Sequence, residues 1–558
     1  MRIFKKMLGW AGLILLFFSL GFITQTKEDF FEVAKNMEIL SQVYKDVNES
    51  YVDETNPTQL MRTAIEAILV NLDPYTNFYS ESQIEYSKVM STGQYSGIGA
   101  EMGIRDGKVI ILELFENGPA DQGGLRVGDE VQKIDDEKIT TGEMALDKAN
   151  SLILGEKGSS VQITVSRSDH ANPLTFTLPR GGTEVQSENV PYYGMATPEV
   201  GYILLSGFTQ DAGKEVADAA NKLKAQHPDL TGFILDLRGN PGGRLDEAVN
   251  VSNVFIPKGQ LIVEMRGRTV ESKNTFYTRF PAVDTEIPLA VLVNNRSASA
   301  SEIVSGSIQD LDRGVVVGQR SFGKGLVQNV IPLSYNTQMK ITIAKYYTPS
   351  GRCIQAIDYS HRNPDGSVGR IPDSLFKEFK TKNGRKVFDG AGVDPDVAVE
   401  KPELQPITKA LKEQGVIFDF VTMYSQNHDS IPAPQKFEVS DEMYDEFIAF
   451  VEERDFSFET ASEKQLTEFQ ESIDSESYGG ELAGEVSALK ENLNQQKGVD
   501  LETRKAQIIP LLKKEIINRY YYKQGVLESS FKDDPDILTA LEVLGDKERY
   551  KKILTSGE

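Results

Sequence analysis

Ser299 and Lys324 are the residues of this chain whose types and settings could make a nucleophile and its base. Ser299 sits in Asn295-Arg296-Ser297-Ala298-Ser299-Ala300-Ser301-Glu302 and Lys324 in Ser321-Phe322-Gly323-Lys324-Gly325. An apolar run precedes each, and both segments are built from small residues that let a substrate backbone approach. A serine hydroxyl is a weak nucleophile and needs a base to take its proton. A lysine can do that only where burial lowers its pKa, so that the amine is neutral near working pH. Phe322, Leu326 and Val327 flank Lys324 and offer such a setting.

Each residue also has a plainer reading. Ser299-x-x-Glu302 is a capping box. Gly318 to Gly325 nearly matches the phosphate loop Gly-x4-Gly-Lys-Ser/Thr after a strand, but Gly325 stands where the hydroxyl for magnesium belongs. Phe233-Ile234-Leu235-Asp236 could imitate the acidic strand of a nucleotide site, yet it precedes the loop, the reverse of the usual order.

A third segment, Asp236-Leu237-Arg238-Gly239-Asn240-Pro241-Gly242-Gly243, closes an apolar strand. Its diglycine can turn backbone N–H groups toward a ligand. An oxyanion hole needs two donors aimed at one oxygen. Gly242 or Gly243 could give one, and Ala300, beside the serine at a helix N-terminus, the other. A structural strand-to-helix turn is the alternative.

The elements that must position these residues alternate. Residues 181–400 carry the apolar runs Gly201–Leu205, Gly232–Asp236, Leu289–Val293 and Gly314–Gly318, the pattern of buried strands in an α/β sheet. Residues 84–180 break into short strands punctuated by glycine, with Gly118-Pro119-Ala120, Gly124-Leu125 and Gly128-Asp129 between them and a helical stretch from Met144 to Leu154. This segment resembles a PDZ domain, a module that adds a peptide as an extra strand and captures its terminal carboxylate on backbone N–H groups. The matching peptide-binding loop is Gly97-Ile98-Gly99-Ala100; a plain tight turn is the alternative. Residues 27–83 read as helical, ending in a turn at Leu72-Asp73-Pro74-Tyr75. Residues 401–558 read as a helical domain with an acidic solvated face; Met443, Phe447, Phe450 and Val451 line one apolar side, and Leu466, Phe469 and Ile473 another.

At 558 residues the chain exceeds one core. Its net charge of −23, from 60 basic and 83 acidic residues, argues against nucleic acid as a partner. Cys353 is the one cysteine, so no intrachain disulfide or cysteine cluster exists. The four histidines lack His-Glu-x-x-His spacing. Arg2, Lys5 and Lys6 precede an apolar run from Met7 to Ile23, so residues 1–26 read as a signal anchor, with a cleaved signal peptide as the alternative. Either exports the body of the chain and points to the periplasmic side of a bacterial envelope.

Taken together, Asp236–Gly243, Ser297–Glu302, Ser321-Phe-Gly-Lys-Gly-Leu-Val-Gln328 and Tyr347-Thr-Pro-Ser-Gly-Arg352 resemble the carboxyl-terminal processing peptidases, or tail-specific proteases. The resemblance runs over residues 35 to 400 in the family's order and implies an α/β multidomain protein: an α/β protease core with an inserted PDZ domain, a helical N-terminal segment and a helical C-terminal domain. It further implies a Ser-Lys dyad with Ser299 as nucleophile, Lys324 as general base and Gln328, four residues on, as the residue that orients the lysine. Ser297 and Ser301 are then structural. The implied partners are proteins with free C-terminal tails and the membrane through the N-terminal segment; no metal or organic cofactor is implied. A catalytically silent PDZ scaffold is the rival reading. Leu154-Gly155 departs from the family's Arg-Gly after the PDZ helix, and residues 401–558 lie beyond the family's core, where they could dimerise or dock an adaptor.

Overall fold

Apolar runs bounded by glycine build the central sheet of the computed structural model, which describes residues 30–81, 84, 97–181, 189–363, 366–400, 403–454, 456–475, 479–497 and 501–556. The apolar run Met7–Ile23 lies outside these residues. No helix among the described residues is long and apolar enough to cross a membrane. The described residues form two compact units, those within 1–84 and 328–342, and those within 85–327 and 343–558.

The larger unit holds a six-stranded sheet. Its strands are β1 (Tyr192–Thr197), β2 (Val200–Leu204), β3 (Gly232–Asp236), β4 (Leu289–Val293), β5 (Val315–Gly318) and β6 (Val397–Ala398), and they lie side by side in sequence order. β1 and β2 form an antiparallel hairpin, and every other neighbour is parallel. The crossover helices are α1 (Ala212–Gln226), α2 (Leu245–Phe255) and α3 (Ala300–Asp310). Sequential order with crossovers of one hand places all of them on one face. There Leu235, Val291 and Val316 meet Val216, Val251 and Val304. Each such aliphatic side chain contributes about 1.5–3 kcal/mol on burial.

That topology leaves the second face bare. It is covered by α4 (Pro535–Gly545) and α5 (Lys547–Ser556), the last helices of the chain. Ile537, Ala540, Val543 and Ile553 pack on Tyr202, Ile234, Leu292 and Val317.

Residues 97–181 form a six-stranded antiparallel sheet with strand Ala100–Arg105 at one edge, closed by helix Glu143–Ile153. Ile98, Ile111, Ile134 and Ile163 are fully buried in its core. Helices Pro406–Glu413, Val416–Asn427, Asp441–Glu453 and Lys505–Ser530 pack around Phe420, Tyr444 and Phe447. Phe447 and Val451 of the expected apolar face are buried there, whereas Phe469 is 49% exposed. The β domain docks on this helical bundle. Arg105 donates to Gly415 O at 3.0 Å, Gln414 O at 3.2 Å and Asp419 Oδ2 at 3.0 Å. Tyr522 interrupts helix Lys505–Ser530 with φ 53° and donates its hydroxyl to Asp121 Oδ1 at 2.7 Å.

In the smaller unit, helices cover residues 30–50 and Pro57–Val70. Asp73 then makes the turn by accepting from Tyr75 N at 2.8 Å and Thr76 N at 2.9 Å. The chain continues as strand Asn77–Tyr79, paired antiparallel with residues 338–340, where the helical reading of residues 27–83 had only a turn.

Candidate active site

In a parallel sheet the loops that leave the carboxyl ends of the strands gather at one edge. Here Asp236 pairs with Leu292 and Val293 with Gly318, so β3, β4 and β5 end level. Their loops are 237–243, 294–299 and 319–325, the three segments singled out by chemistry.

The first two loops are stitched together by serines. Ser297 Oγ donates to Leu237 O at 2.8 Å, and Ser301 Oγ donates to Asn240 O at 2.9 Å. Ala298 N adds a 3.1 Å bond to Asn240 O. Two of the three neighbouring hydroxyls are therefore spent on backbone carbonyls. Ser299 stands between them, half-buried, with φ 55° and ψ −111°. A non-glycine residue there is strained by about 1–3 kcal/mol, a cost that recurs at functional sites. It precedes α3 as the N-cap, in a capping box with Glu302. Glu302 N donates to the Ser299 carbonyl at 2.9 Å.

Glu302 joins the second loop to the third. Its carboxylate is fully buried. Oε2 accepts from Ser299 N and from Lys324 N, both at 2.8 Å. Oε1 accepts from Ser321 Oγ at 2.5 Å and Gly323 N at 2.7 Å. The two backbone nitrogens that lead to the candidate nucleophile and the candidate base thus share one oxygen atom. Burial pushes the Glu302 carboxyl above its ordinary pKa, and the four donors pull against that shift. From the far side, the Tyr346 hydroxyl lies between the carbonyls of Ser299, at 3.0 Å, and Lys324.

Lys324 is half-buried, beside half-buried Phe322 and buried Leu326. Its loop runs into strand Leu326–Pro332. A nucleotide phosphate loop must open a helix, so the near-match at Gly318–Gly325 is a strand connection. Gln328 lies in the smaller unit and donates from Nε2 to Thr342 Oγ1 at 3.3 Å.

Gly242 adopts φ 100°, and a Cβ there would lie 2.7 Å from Ala298 O and 2.8 Å from Ser299 Cβ. Only glycine fits against the serine. Its N–H, however, is donated to Asn240 Oδ1 at 2.9 Å. As an oxyanion donor Gly242 would first have to break that bond. Among the described residues no acceptor takes the N–H of Gly243 or of Ala300, the first residue of α3, so these two are the available pair.

In the β domain, the carbonyls of Gly97, Ile98 and Gly99 accept from Gly181, Ala120 and Phe115 at 2.9, 2.8 and 3.0 Å. Gly99 takes φ 74°. The loop leads into edge strand Ala100–Arg105, whose outer side is where an added strand would pair. Beyond the end of helix Glu143–Ile153, Arg180 caps it by donating to Ile153 O at 2.9 Å and Leu152 O at 2.8 Å.

Comparison with known proteins agrees with this layout. Residues 199–368 match the model of peptidase family S41, residues 96–178 that of the PDZ domain, and residues 407–544 that described as "Probable PDZ-protease, C-terminal helical domain". The carboxy-terminal-processing protease of Bartonella bacilliformis is 31% identical over 358 residues, which is 64% of this chain and 80% of that protein. The chain belongs to peptidase family S41. A carboxyl-terminal-processing protease of a Synechocystis strain is 34% identical over 368 residues, 62% of this chain and 82% of its own length. Among solved structures, the photosystem II D1 C-terminal processing protease aligns with 64% of this chain and 92% of its own at 25% identity, with a TM-score of 0.35. As an S41 peptidase the chain is a serine-type protease with a PDZ domain inside its α/β protein and a helical domain after the core.

Sequence reading had not found four residues that shape this site. Glu302 was visible only as a cap. Asn240 had a local signal, since Asn before Pro-Gly favours a side-chain-to-backbone turn. Tyr346 had none, because its partners are remote in sequence, and for Arg238 only Asp236 lies nearby, its other partners Asp534 and Asp536 being 296 and 298 positions away.

Proposed function

We propose that this S41 peptidase captures the C-terminal tail of a protein through its PDZ domain and cleaves peptide bonds by a Ser-Lys dyad. The observation that carries the reading is the shared Glu302 carboxylate, which accepts from the backbone N–H groups of both Ser299 and Lys324. Ser299 Oγ attacks the scissile carbonyl carbon while its proton passes to the neutral Lys324 amine. The oxyanion accepts from the N–H groups of Gly243 and Ala300. The C–N bond then breaks, and Lys324 returns the proton to the leaving amine. Water attacks the Ser299 ester, giving its proton to Lys324; the ester C–O bond then breaks, Lys324 returns the proton to Ser299 Oγ, and the new carboxyl product leaves. The Gly97–Ala100 loop receives the tail's carboxylate and strand Ala100–Arg105 its backbone. The basic residues and apolar run at the N-terminus support export and anchoring on the periplasmic side of the membrane.

The test uses protein lacking residues 1–26 and an unfolded substrate with an apolar C-terminus. Wild type is expected to cleave it, Ser299→Ala and Lys324→Ala are not, and amidating the substrate's terminus is expected to raise KM. kcat/KM is expected to rise with pH as the free amine is populated. Equal cleavage by all three proteins would refute the dyad, and a flat pH profile with chemistry rate-limiting would refute Lys324 as base. A protein that binds tails and never cleaves would be the scaffold.

A further inference from the structure

Arg238, in the diglycine loop, reaches away from the reaction site and into the last helices of the chain. Its Nη1 lies 2.8 and 2.7 Å from the two carboxylate oxygens of Asp534 and 2.8 Å from Asp536 Oδ2. Its Nε and Nη2 hold Asp236, at 3.0 and 2.6 Å. Tyr202 from β2 donates its hydroxyl to the same Asp236 Oδ2 at 2.5 Å. Asp236 also accepts the Arg238 backbone N–H at 2.8 Å. One guanidinium therefore draws three carboxylates together, two of them fully or nearly fully buried, Asp536 and Asp236. Burial works against the Arg238 charge, and the carboxylates outweigh it and hold the guanidinium firmly protonated.

The position of this cluster is what matters. Asp236 ends β3, and the next residues are the loop whose Gly242 lies against Ser299 and whose Gly243 offers a donor. On one side serines and Asn294 hold that loop: Gly239 N donates to Asn294 Oδ1 at 3.0 Å. On the other side the only charged grip on it among the described contacts is Arg238. Asp534 is at once the N-cap of α4, accepting from Asp536 N at 2.9 Å and Ile537 N at 3.2 Å. A planar fork with five donors can hold this geometry, whereas an ammonium cannot.

The geometry points to Arg238 as a positioning residue for the oxyanion loop, anchored by Asp534 and Asp536. The last helices are then working parts of the peptidase, not an appended cover. This rests on the reading of Ser299 as nucleophile. An oxyanion donor acts on the transition state, so its misplacement lowers kcat more than it raises KM.

The test compares Arg238→Lys, Asp534→Asn and Asp536→Asn with wild type and Ser299→Ala on one unfolded substrate, measuring kcat and KM, with the folded fraction from circular dichroism. Asp534→Asn keeps a side-chain oxygen for the helix cap and is the variant least prone to misfold. Arg238→Lys is expected to lose about a hundredfold in kcat, and each Asn variant about tenfold, with KM within about threefold and cooperative melting retained. The inference is overturned if Arg238→Lys and Asp534→Asn keep kcat within twofold of wild type, or if every loss of rate matches a loss of folded protein. Cleavage by Ser299→Ala at the wild-type rate would instead remove the dyad itself.

Discussion

Glu302 shows how a residue with an ordinary local explanation acquires a second task. Its four donors come from positions 299, 321, 323 and 324, and the last three are brought near only when β5 pairs with β4. Glu302→Gln cannot accept from all four, because one side of the amide is itself a donor. Leaving a buried donor unpaired costs about 1–3 kcal/mol. The variant is expected to lose about that much stability and at least tenfold in kcat, read by calorimetry and by peptide cleavage. The neighbouring serines separate in the same way. Ser297→Ala, which strands the Leu237 carbonyl, should cost about 1–3 kcal/mol of stability and leave turnover largely intact, while Ser299→Ala abolishes turnover. Sequence alone offered three serines in one small-residue run, and only the spacing to Lys324 in the family's pattern chose among them. In the structure the other two hydroxyls are occupied.

At the scale of elements, the apolar runs were legible almost to the residue. Gly232–Asp236 and Leu289–Val293 are strands as read, and Ala300 opens a helix. Continuous apolar runs between glycines leave little choice in a parallel sheet. Less legible was what ties a helix to a segment further along the chain. Lys224, near the end of α1, donates to Asp284 Oδ2 at 2.6 Å, just before β4. Burial pushes the Asp284 carboxyl up, but Lys224 and the N–H groups of Ile287 and Glu286 outweigh burial and hold it below the ordinary carboxylate range. A carboxyl lowered in the folded state stabilises the fold above its unfolded pKa and loses that contribution as pH falls through the folded one. Asp284→Asn is therefore expected to cost about 1–2 kcal/mol at pH 7, with the gap to wild type closing from about pH 4 downward. Urea unfolding at both ends of that range measures it. An equal gap at every pH would mean the charge contributes nothing.

For the larger unit as a whole, helical spacing gave the C-terminal domain its helices and not their addresses. An apolar stripe says that a helix is covered, not by what. The sheet supplies the answer: sequential strands with crossovers on one side leave a face that α4 and α5 close. The grip of the helical bundle on the PDZ domain was equally invisible, since Arg105 and its acceptors at 414, 415 and 419 lie some 310 positions apart. Arg105→Ala removes all three bonds. Deuterium uptake is expected to rise in residues 100–105 and 416–427 and to stay unchanged in β3 and β4; a rise spread over the whole unit would contradict a local dock.

The dyad itself can be read from covalent labelling. The truncated protein is treated with a fluorophosphonate, which loses fluoride to an activated serine oxygen, and the adduct is mapped by peptide mass spectrometry. The adduct is expected on Ser299, absent in Ser299→Ala and formed at least a hundredfold more slowly in Lys324→Ala. An adduct on Ser297 or Ser301, or undiminished labelling of Ser299 without Lys324, would contradict the account.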